Sequence, residues 1–132
     1  MFLVAKSRGE IMKKILIVDD SLFMRKVLCN ILSKIDDKFQ IFEGSTGKSG
    51  LELFKSENPN ITLLDIIMPD SEEEGVKVLR RIMEIDPKAN VIMITAVGQD
   101  LIMKECKKLG AKDYIVKPFD EKKIFTTVEK YL

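Results

Sequence analysis

The amino-acid sequence predicts a doubly wound α/β fold built around a parallel β-sheet. Short, continuous apolar runs recur five times along the chain, and each is followed by a segment whose apolar residues have helical spacing. Continuous apolar runs are typical of parallel strands covered on both faces. Right-handed crossovers through helices join such strands into a doubly wound sheet.

The strands are predicted at the apolar runs and the helices at the periodic segments between them. The strands are expected at 15–18, 39–42, 61–64, 91–94 and 114–116, of which the second is the weakest. The first helix has the clearest apolar stripe, formed by Met24, Val27, Leu28, Ile31, Leu32 and Ile35. The later stripes are Leu51 with Phe54; Leu79, Ile82 and Met83; Ile102, Cys106 and Leu109; and Ile124, Phe125, Val128 and Leu132.

Composition limits the chemistry. The 132 residues suit one domain with no room for a fused effector, and we expect residues 1–11 to be a flexible extension of a domain at 12–132. Met12 is an alternative start. The absence of His excludes Ser-His-Asp and Cys-His nucleophile pairs as well as His metal ligands. A net charge of +1 gives no general attraction to nucleic acid or anionic membrane, and no apolar run reaches the length of a membrane span.

Polar residues follow four of the predicted strands, at the edge where ligands bind in this architecture. They are Asp19-Asp20, Asp65, Thr95-Ala96 and Lys117-Pro118. Converging carboxylates repel one another unless a cation is present, and oxygen ligands of this kind suit Mg²⁺. A Lys and a Thr hydroxyl on the same edge are suitable partners for phosphate oxygens.

This set indicates phosphoryl transfer to a carboxylate. Asp65 is the expected nucleophile because it stands alone at a central strand end, whereas Asp19 and Asp20 are better placed to hold metal. Taken singly, each residue has a plainer explanation: Asp20 or Ser21 could cap the first helix, and a strand-end Lys or Thr is usually solvated. The plainer explanations do not account for all of them lying on one edge.

One segment suggests a different class of protein, a small P-loop NTPase. Residues Phe42–Ser49 match a phosphate-binding loop except at the first glycine, whose position is occupied by Phe42. Phe fills the tight turn that glycine permits, and this interpretation leaves Asp19, Asp20, Thr95 and Lys117 without roles. The alternative is a turn in which Ser45 or Thr46 caps the second helix.

Together these motifs resemble a two-component response-regulator receiver domain. The resemblance covers residues 13–132 and rests on four segments in order: ILIVDDS at 15–21, LDIIMP at 64–69, ITA at 94–96 and DYIVKPF at 113–119. Within the family, SLFMRKVL at 21–28, AVGQ at 96–99 and GAKDY at 110–114 are similar to stand-alone CheY-like chemotaxis regulators.

The resemblance implies a flavodoxin-like fold of five parallel strands in the order 2-1-3-4-5, with five helices in a three-layer sandwich. It implies that Asp65 is the phosphoacceptor, and that Asp19, Asp20, Asp65 and the Ile67 carbonyl hold Mg²⁺. Lys117, Thr95 and the Ala96 amide would contact the phosphoryl oxygens. Thr95 and Tyr114 would form the switch, and the Lys117-Pro118 peptide would be cis.

The resemblance also implies partners. The phosphodonor would be a histidine kinase of the CheA-like type, and the target, such as a flagellar motor switch, would bind the face made by the fourth helix, fifth strand and fifth helix. Residues 101–132 are basic, with eight lysines against five acids, which suits an acidic or amphipathic partner. A phosphorelay or another pathway outside motility is the alternative.

Such a protein would be cytoplasmic, would bind neither nucleic acid nor membrane, and would not be an enzyme, although it assists its own phosphorylation and dephosphorylation.

Two features depart from the family pattern, and two variable positions bear on the lifetime of the phosphoryl group. The segment 70–74 is longer and strongly acidic, which favours a solvated loop or one that draws in Mg²⁺ and repels an anionic phosphodonor. Gly50 replaces a better helix former, which should weaken the second helix by up to about 1 kcal/mol. Ile67 and Val97 are apolar where related receivers carry polar groups that orient water, so we expect a long-lived Asp65 phosphate.

Overall fold

A parallel sheet of five strands in the order β2-β1-β3-β4-β5 lies between two layers of helices. The computed structural model describes residues 12–68 and 75–132. The predicted flexible extension at 1–11 and the acidic loop at 70–74 lie outside these residues. The elements alternate regularly: β1 (Lys14–Val18), α1 (Leu22–Ile35), β2 (Gln40–Gly44), α2 (Gly47–Glu57), β3 (Ile61–Asp65), α3 (Gly75–Ile85), β4 (Val91–Ala96), α4 (Asp100–Leu109), β5 (Asp113–Lys117) and α5 (Glu121–Glu129).

This arrangement confirms the predicted fold class and strand order. The second strand begins at Gln40 and runs to Gly44, later than predicted. The final helix ends at Glu129, so Leu132, which was predicted to belong to its apolar stripe, lies beyond the helix and is exposed. Within the described residues, no helix is long and apolar enough to cross a bilayer.

The two faces of the sheet carry separate apolar cores. One core joins α1 and α5 to the sheet, through side chains such as Leu28, Leu32 and Val128. The other joins α2, α3 and α4, through side chains such as Phe54, Leu79 and Met103. Residues of β1 alternate between the two cores, as expected for a strand covered on both faces.

The register of the sheet brings the strand ends level with one another. Val18 pairs with Leu64, so Asp19, the next residue, reaches the level of Asp65. On the other side of β3, Asp65 pairs with Ile94, one residue before Thr95. Ala96 in turn pairs with Lys117. All the polar strand-end residues therefore meet at one edge of the sheet.

Gly50 has a packing role that helix propensity does not reveal. A Cβ atom at this position would lie 2.8 Å from both Cγ atoms of Val18. A Cβ atom on Gly44 would lie 2.8 Å from the Cα of Gly50. The backbone of helix α2 at Gly50 therefore packs directly against the Val18 side chain of β1 and the Gly44 backbone of β2. The close contact requires glycine at position 50, despite the low helix propensity of glycine.

Candidate functional site

Three carboxylates converge at the carboxyl end of the central strands. Asp19, Asp20 and Asp65 each offer one oxygen, and these oxygens all lie within 4.8 Å of one another. Asp19 and Asp65 are buried, with 2% and 6% of their surface exposed, and Asp20 is half-buried. The three carboxylates proposed from the sequence as metal ligands therefore lie together.

The Asp19 carboxylate is held in place but only half satisfied. Its Oδ1 accepts a hydrogen bond of 2.8 Å from the backbone N–H of Ser21. Its Oδ2 is the one buried side-chain oxygen or nitrogen within residues 12–68 and 75–132 without a hydrogen-bond partner. Burial raises the pKa of Asp19, although the Ser21 N–H opposes the shift. A buried, unpartnered carboxylate oxygen is costly unless a cation meets it.

Asp65 lies at the centre of the cluster, opposite a lysine. The Nζ atom of Lys117 lies 3.5 Å from Asp65 Oδ2. Burial, and then the negative charge of Asp19, raise the pKa of Asp65 to about 6, against the opposing effects of Lys117 and the Ile67 N–H. Burial and the charge of Asp19 outweigh Lys117, so this one lysine does not offset the cost of ionising the buried Asp65 carboxyl.

These residues fit a divalent metal ion. The donors are all oxygens, one of them has no other partner, and the carboxylates are close enough to contact a common ion. Hard oxygen ligands of this kind suit Mg²⁺, which keeps several waters and binds through a few carboxylates.

Thr95 and Ala96 lie at the end of β4 and contact a residue that the sequence had not suggested. The Thr95 hydroxyl donates to Oε1 of Gln99 over 2.6 Å, and the Ala96 N–H donates to the same oxygen over 2.9 Å. Thr95 is buried. Gln99 escaped sequence reasoning because its role depends on the direction of its side chain, which the loop conformation determines.

Tyr114 lies on β5 beside this loop, with its ring partly exposed. The Nζ atom of Lys107 lies over the ring, 4.8 Å from its centroid. Thr95, Gln99 and Tyr114 line the same open groove of about 490 Å³. The two residues predicted to form a switch thus share one cavity.

Lys117 is followed by a cis peptide bond to Pro118, as the family resemblance implied.

Two further residues support the site without having been predicted. Arg25 donates from Nη1 to the backbone carbonyl of Asp19 over 2.7 Å and from Nε to Glu43 over 3.0 Å, which fixes the end of β1. Gly75 donates its N–H to the Ile66 carbonyl over 2.9 Å, and a Cβ atom there would overlap the Asp65 carbonyl oxygen. Helix α3 therefore starts in direct contact with the end of β3, which carries Asp65.

The segment that resembled a phosphate-binding loop is a capped helix start. Thr46 Oγ1 accepts from the N–H of Ser49, and Ser49 Oγ accepts from the N–H of Thr46, each over 3.0 Å. This reciprocal capping box uses the Ser49 hydroxyl, which a phosphate-binding loop would keep for Mg²⁺. The predicted capping role of Thr46 is confirmed, and the geometry does not support the NTPase alternative.

The fold, with carboxylates, a threonine and a lysine at one edge of a parallel sheet, agrees with a family found by comparison with known proteins. The response regulator receiver domain family matches residues 15–129. The chain therefore belongs to this family, whose members are phosphoacceptor signalling domains and not conventional enzymes.

Individual relatives agree with this assignment. The chain is 40% identical to protein CcdB of Bacillus subtilis, over 92% of this chain and 98% of that protein. It is 39% identical to the chemotaxis protein CheY of Thermotoga maritima, over 89% of this chain and 96% of that protein. The receiver domain of NtrX from Brucella abortus superposes with a TM-score of 0.83 at 29% identity, over 89% of this chain and 97% of that domain. Receiver domains bind Mg²⁺ through an acidic cluster and interact with histidine kinases and downstream targets.

Proposed function

We propose that this chain is a stand-alone receiver whose Asp65 accepts a phosphoryl group from a histidine kinase. The observation that carries the proposal is the meeting of three carboxylates within 4.8 Å, with the Lys117 ammonium 3.5 Å from Asp65. A nucleophilic carboxylate, a cation site and a positive point charge for phosphate are thereby combined at one edge of the sheet.

In the proposed transfer, a carboxylate oxygen of Asp65 attacks the phosphorus of a phosphohistidine. A new P–O bond forms, the P–N bond breaks, and the imidazole leaves with the electron pair of that bond. Lys117, the Thr95 hydroxyl and the Ala96 N–H bind the phosphoryl oxygens and stabilise their charge. Asp65 is ionised above its pKa of about 6, so it is a nucleophile at neutral pH.

Asp19, Asp20, Asp65 and the backbone carbonyl of Ile67 are the proposed Mg²⁺ ligands. The ion supplies positive charge that offsets the carboxylates and the incoming phosphoryl oxygens. The unpartnered Oδ2 of Asp19 supports this assignment.

The proposed output is a change on the face formed by α4, β5 and α5. Thr95 moves toward the phosphoryl group, and Tyr114 follows into the groove that the two residues share. Exposed lysines line this face, including Lys104, Lys107 and Lys123, which suits an acidic or amphipathic partner segment.

We propose chemotaxis as the pathway, with a CheA-like kinase as the donor and a flagellar motor switch as a candidate target, in the cytoplasm. The similarity to the Thermotoga maritima CheY supports it. A direct test compares phosphotransfer from a CheA-like kinase with transfer from sensor kinases outside motility. Faster transfer from the CheA-like kinase is expected, whereas faster transfer from one of the others favours the phosphorelay alternative.

The phosphoacceptor itself is tested with acetyl phosphate and Mg²⁺. The wild-type chain should acquire a phosphoryl group that is stable in acid and labile in base, as expected for an acyl phosphate. Asp65→Asn should abolish this labelling, and the control Asp37→Asn, at an exposed position, should retain it. Labelling that survives in Asp65→Asn contradicts the proposal, and ATP turnover lost in Lys48→Ala revives the NTPase alternative.

A further inference from the structure

Gln99 accepts hydrogen bonds from two of the groups that the proposed function assigns to the phosphoryl oxygens. Its single Oε1 atom accepts from both the Thr95 hydroxyl, at 2.6 Å, and the Ala96 N–H, at 2.9 Å. These are the two donors at the end of β4 that the proposed function directs at the transferred group. In this structure both are satisfied from within the chain.

The side chain of Gln99 is not needed to start helix α4. Gln99 is the residue preceding the helix, where a side chain usually turns forward to accept from a backbone N–H of the first turn. It makes no such bond, and only its backbone carbonyl serves the helix, accepting from the Met103 N–H over 3.0 Å. The carboxamide instead turns back toward β4. Its contact with Thr95 and Ala96 is thus separable from the integrity of the helix.

A phosphoryl oxygen and the Gln99 carboxamide compete for the same hydrogens. A hydroxyl and a backbone amide each donate a single hydrogen, so neither donor fully serves two acceptors. A charged phosphoryl oxygen accepts more strongly than a neutral carboxamide, and it therefore displaces the carboxamide. The open groove of about 490 Å³ beside Gln99, lined also by Met103 and Lys107, has space for the displaced side chain.

We infer that Gln99 is a regulatory positioning residue whose carboxamide oxygen holds Thr95 and Ala96 in the unphosphorylated arrangement and sets the threshold for switching. The inference rests on the proposed function. It goes further because Gln99, which lies outside the strand-end motifs, would control how readily the phosphorylated arrangement forms.

The test is a titration of the full chain with beryllofluoride in the presence of Mg²⁺, followed by backbone amide NMR. Gln99→Ala and Gln99→Met remove the competing acceptor, and they should bind beryllofluoride about three- to tenfold more tightly than wild type. Gln99→Glu keeps an acceptor and adds a negative charge, and it should bind about tenfold more weakly. The control Gln40→Met makes the same chemical change at an exposed position on β2 and should bind like wild type.

A second measurement does not depend on ligand. In the metal-free protein, the Ala96 amide resonance should move in Gln99→Ala and Gln99→Met and stay close to its wild-type position in Gln99→Glu. Chemical denaturation of every variant shows whether the substitution has also loosened the loop. General loosening would shift beryllofluoride binding in the same direction in all three variants.

The outcomes are distinguishable. Opposite shifts in Gln99→Met and Gln99→Glu at unchanged unfolding midpoints support the inference. Wild-type affinity in both Gln99→Ala and Gln99→Met, or an unmoved Ala96 resonance, overturns it and leaves the proposed function intact. Absence of beryllofluoride binding by the wild-type chain overturns the proposed function, and the inference with it.

Discussion

The Nζ atom of Lys117 lies 3.5 Å from Oδ2 of Asp65, across the space between the ends of β5 and β3. This is the only cation among those described that forms an ion pair with the buried carboxylates of the cluster, and it does not compensate for the cost of burying them.

The first prediction concerns pH and stability in the metal-free protein. The pKa of Asp65 is raised to about 6 in the folded state, chiefly by burial, so the folded protein binds this proton more tightly than the unfolded chain. Ionised Asp65 therefore destabilises the fold above about pH 6, and the cost disappears as pH falls toward the unfolded pKa of about 4. As the pH falls from about 6 to about 4, the unfolding free energy should rise by on the order of 2–3 kcal/mol.

Chemical denaturation in the presence of a chelator, at a series of pH values, measures this effect. Asp65→Asn should be more stable than wild type at neutral pH and should lose most of the rise, whereas Asp37→Asn should follow wild type. Equal pH profiles for wild type and Asp65→Asn would show that the cluster is not strained by its charge.

The second prediction concerns the contact between the start of α3 and the Asp65–Ile66 backbone at the end of β3. A Cβ atom at Gly75 would overlap the Asp65 carbonyl oxygen and approach the Ile66 Cα at 2.7 Å. Both are backbone atoms, so Gly75→Ala must displace them, and we expect a loss of about 1–3 kcal/mol in stability. Mg²⁺ affinity, measured by calorimetry, should fall as well. The control Lys77→Ala, on an exposed position of the same helix, should change neither quantity.

The third prediction concerns Gly50. Helix propensity alone predicts that Gly50→Ala stabilises the protein by up to about 1 kcal/mol. The Val18 Cγ atoms, at 2.8 Å from the new Cβ, predict destabilisation instead. Val18→Ala removes those atoms, so the double variant Gly50→Ala/Val18→Ala should cost less than the sum of the single variants. Additive costs in this double-mutant cycle would rule out the steric explanation.

The fourth prediction concerns the lifetime of the phosphoryl group. Ile67 and Val97 are both exposed, with 39% and 79% of their surfaces accessible, and neither offers a polar group that could orient an attacking water. Replacing them together, in Ile67→Asn/Val97→Glu, should increase the rate of Asp65 dephosphorylation by about tenfold. Loss of label after removal of acetyl phosphate gives this rate. Ile85→Asn, at another exposed apolar position, is the control, and an unchanged rate in the double variant contradicts the hypothesis.

The parts of the site that were predictable from sequence are those that follow strands. A polar residue directly after a buried apolar run can only lie at a sheet edge, and parallel strands share that edge. Asp19, Asp65, Thr95 and Lys117 were found by this rule. Hydrophobic periodicity predicted the fold class in the same way. It did not predict the end of α5, because Leu132 is apolar and yet lies beyond the helix.

The parts that were not predictable depend on approach distances and side-chain directions. Gln99 ends the AVGQ segment at 96–99, but that resemblance gave it no role, and only its backward direction connects it to Thr95. Arg25 lies on a helix surface, where a charged residue is unremarkable until its contact with the Asp19 carbonyl is seen. Gly50 has low helix propensity, and its necessity comes from Val18, more than thirty residues earlier in the chain.

The register that aligns the strand ends has a consequence for biosynthesis. A nascent chain that has emerged through β3 already contains Asp19, Asp20 and Asp65, but Lys117 arrives only with β5, which must dock on β4 at the far edge of the sheet. Until then the acidic cluster has no lysine opposite it, and Ala96 has no partner on its outer side. On the proposed function, a chain whose β5 has not yet docked lacks the lysine that would bind the phosphoryl oxygens.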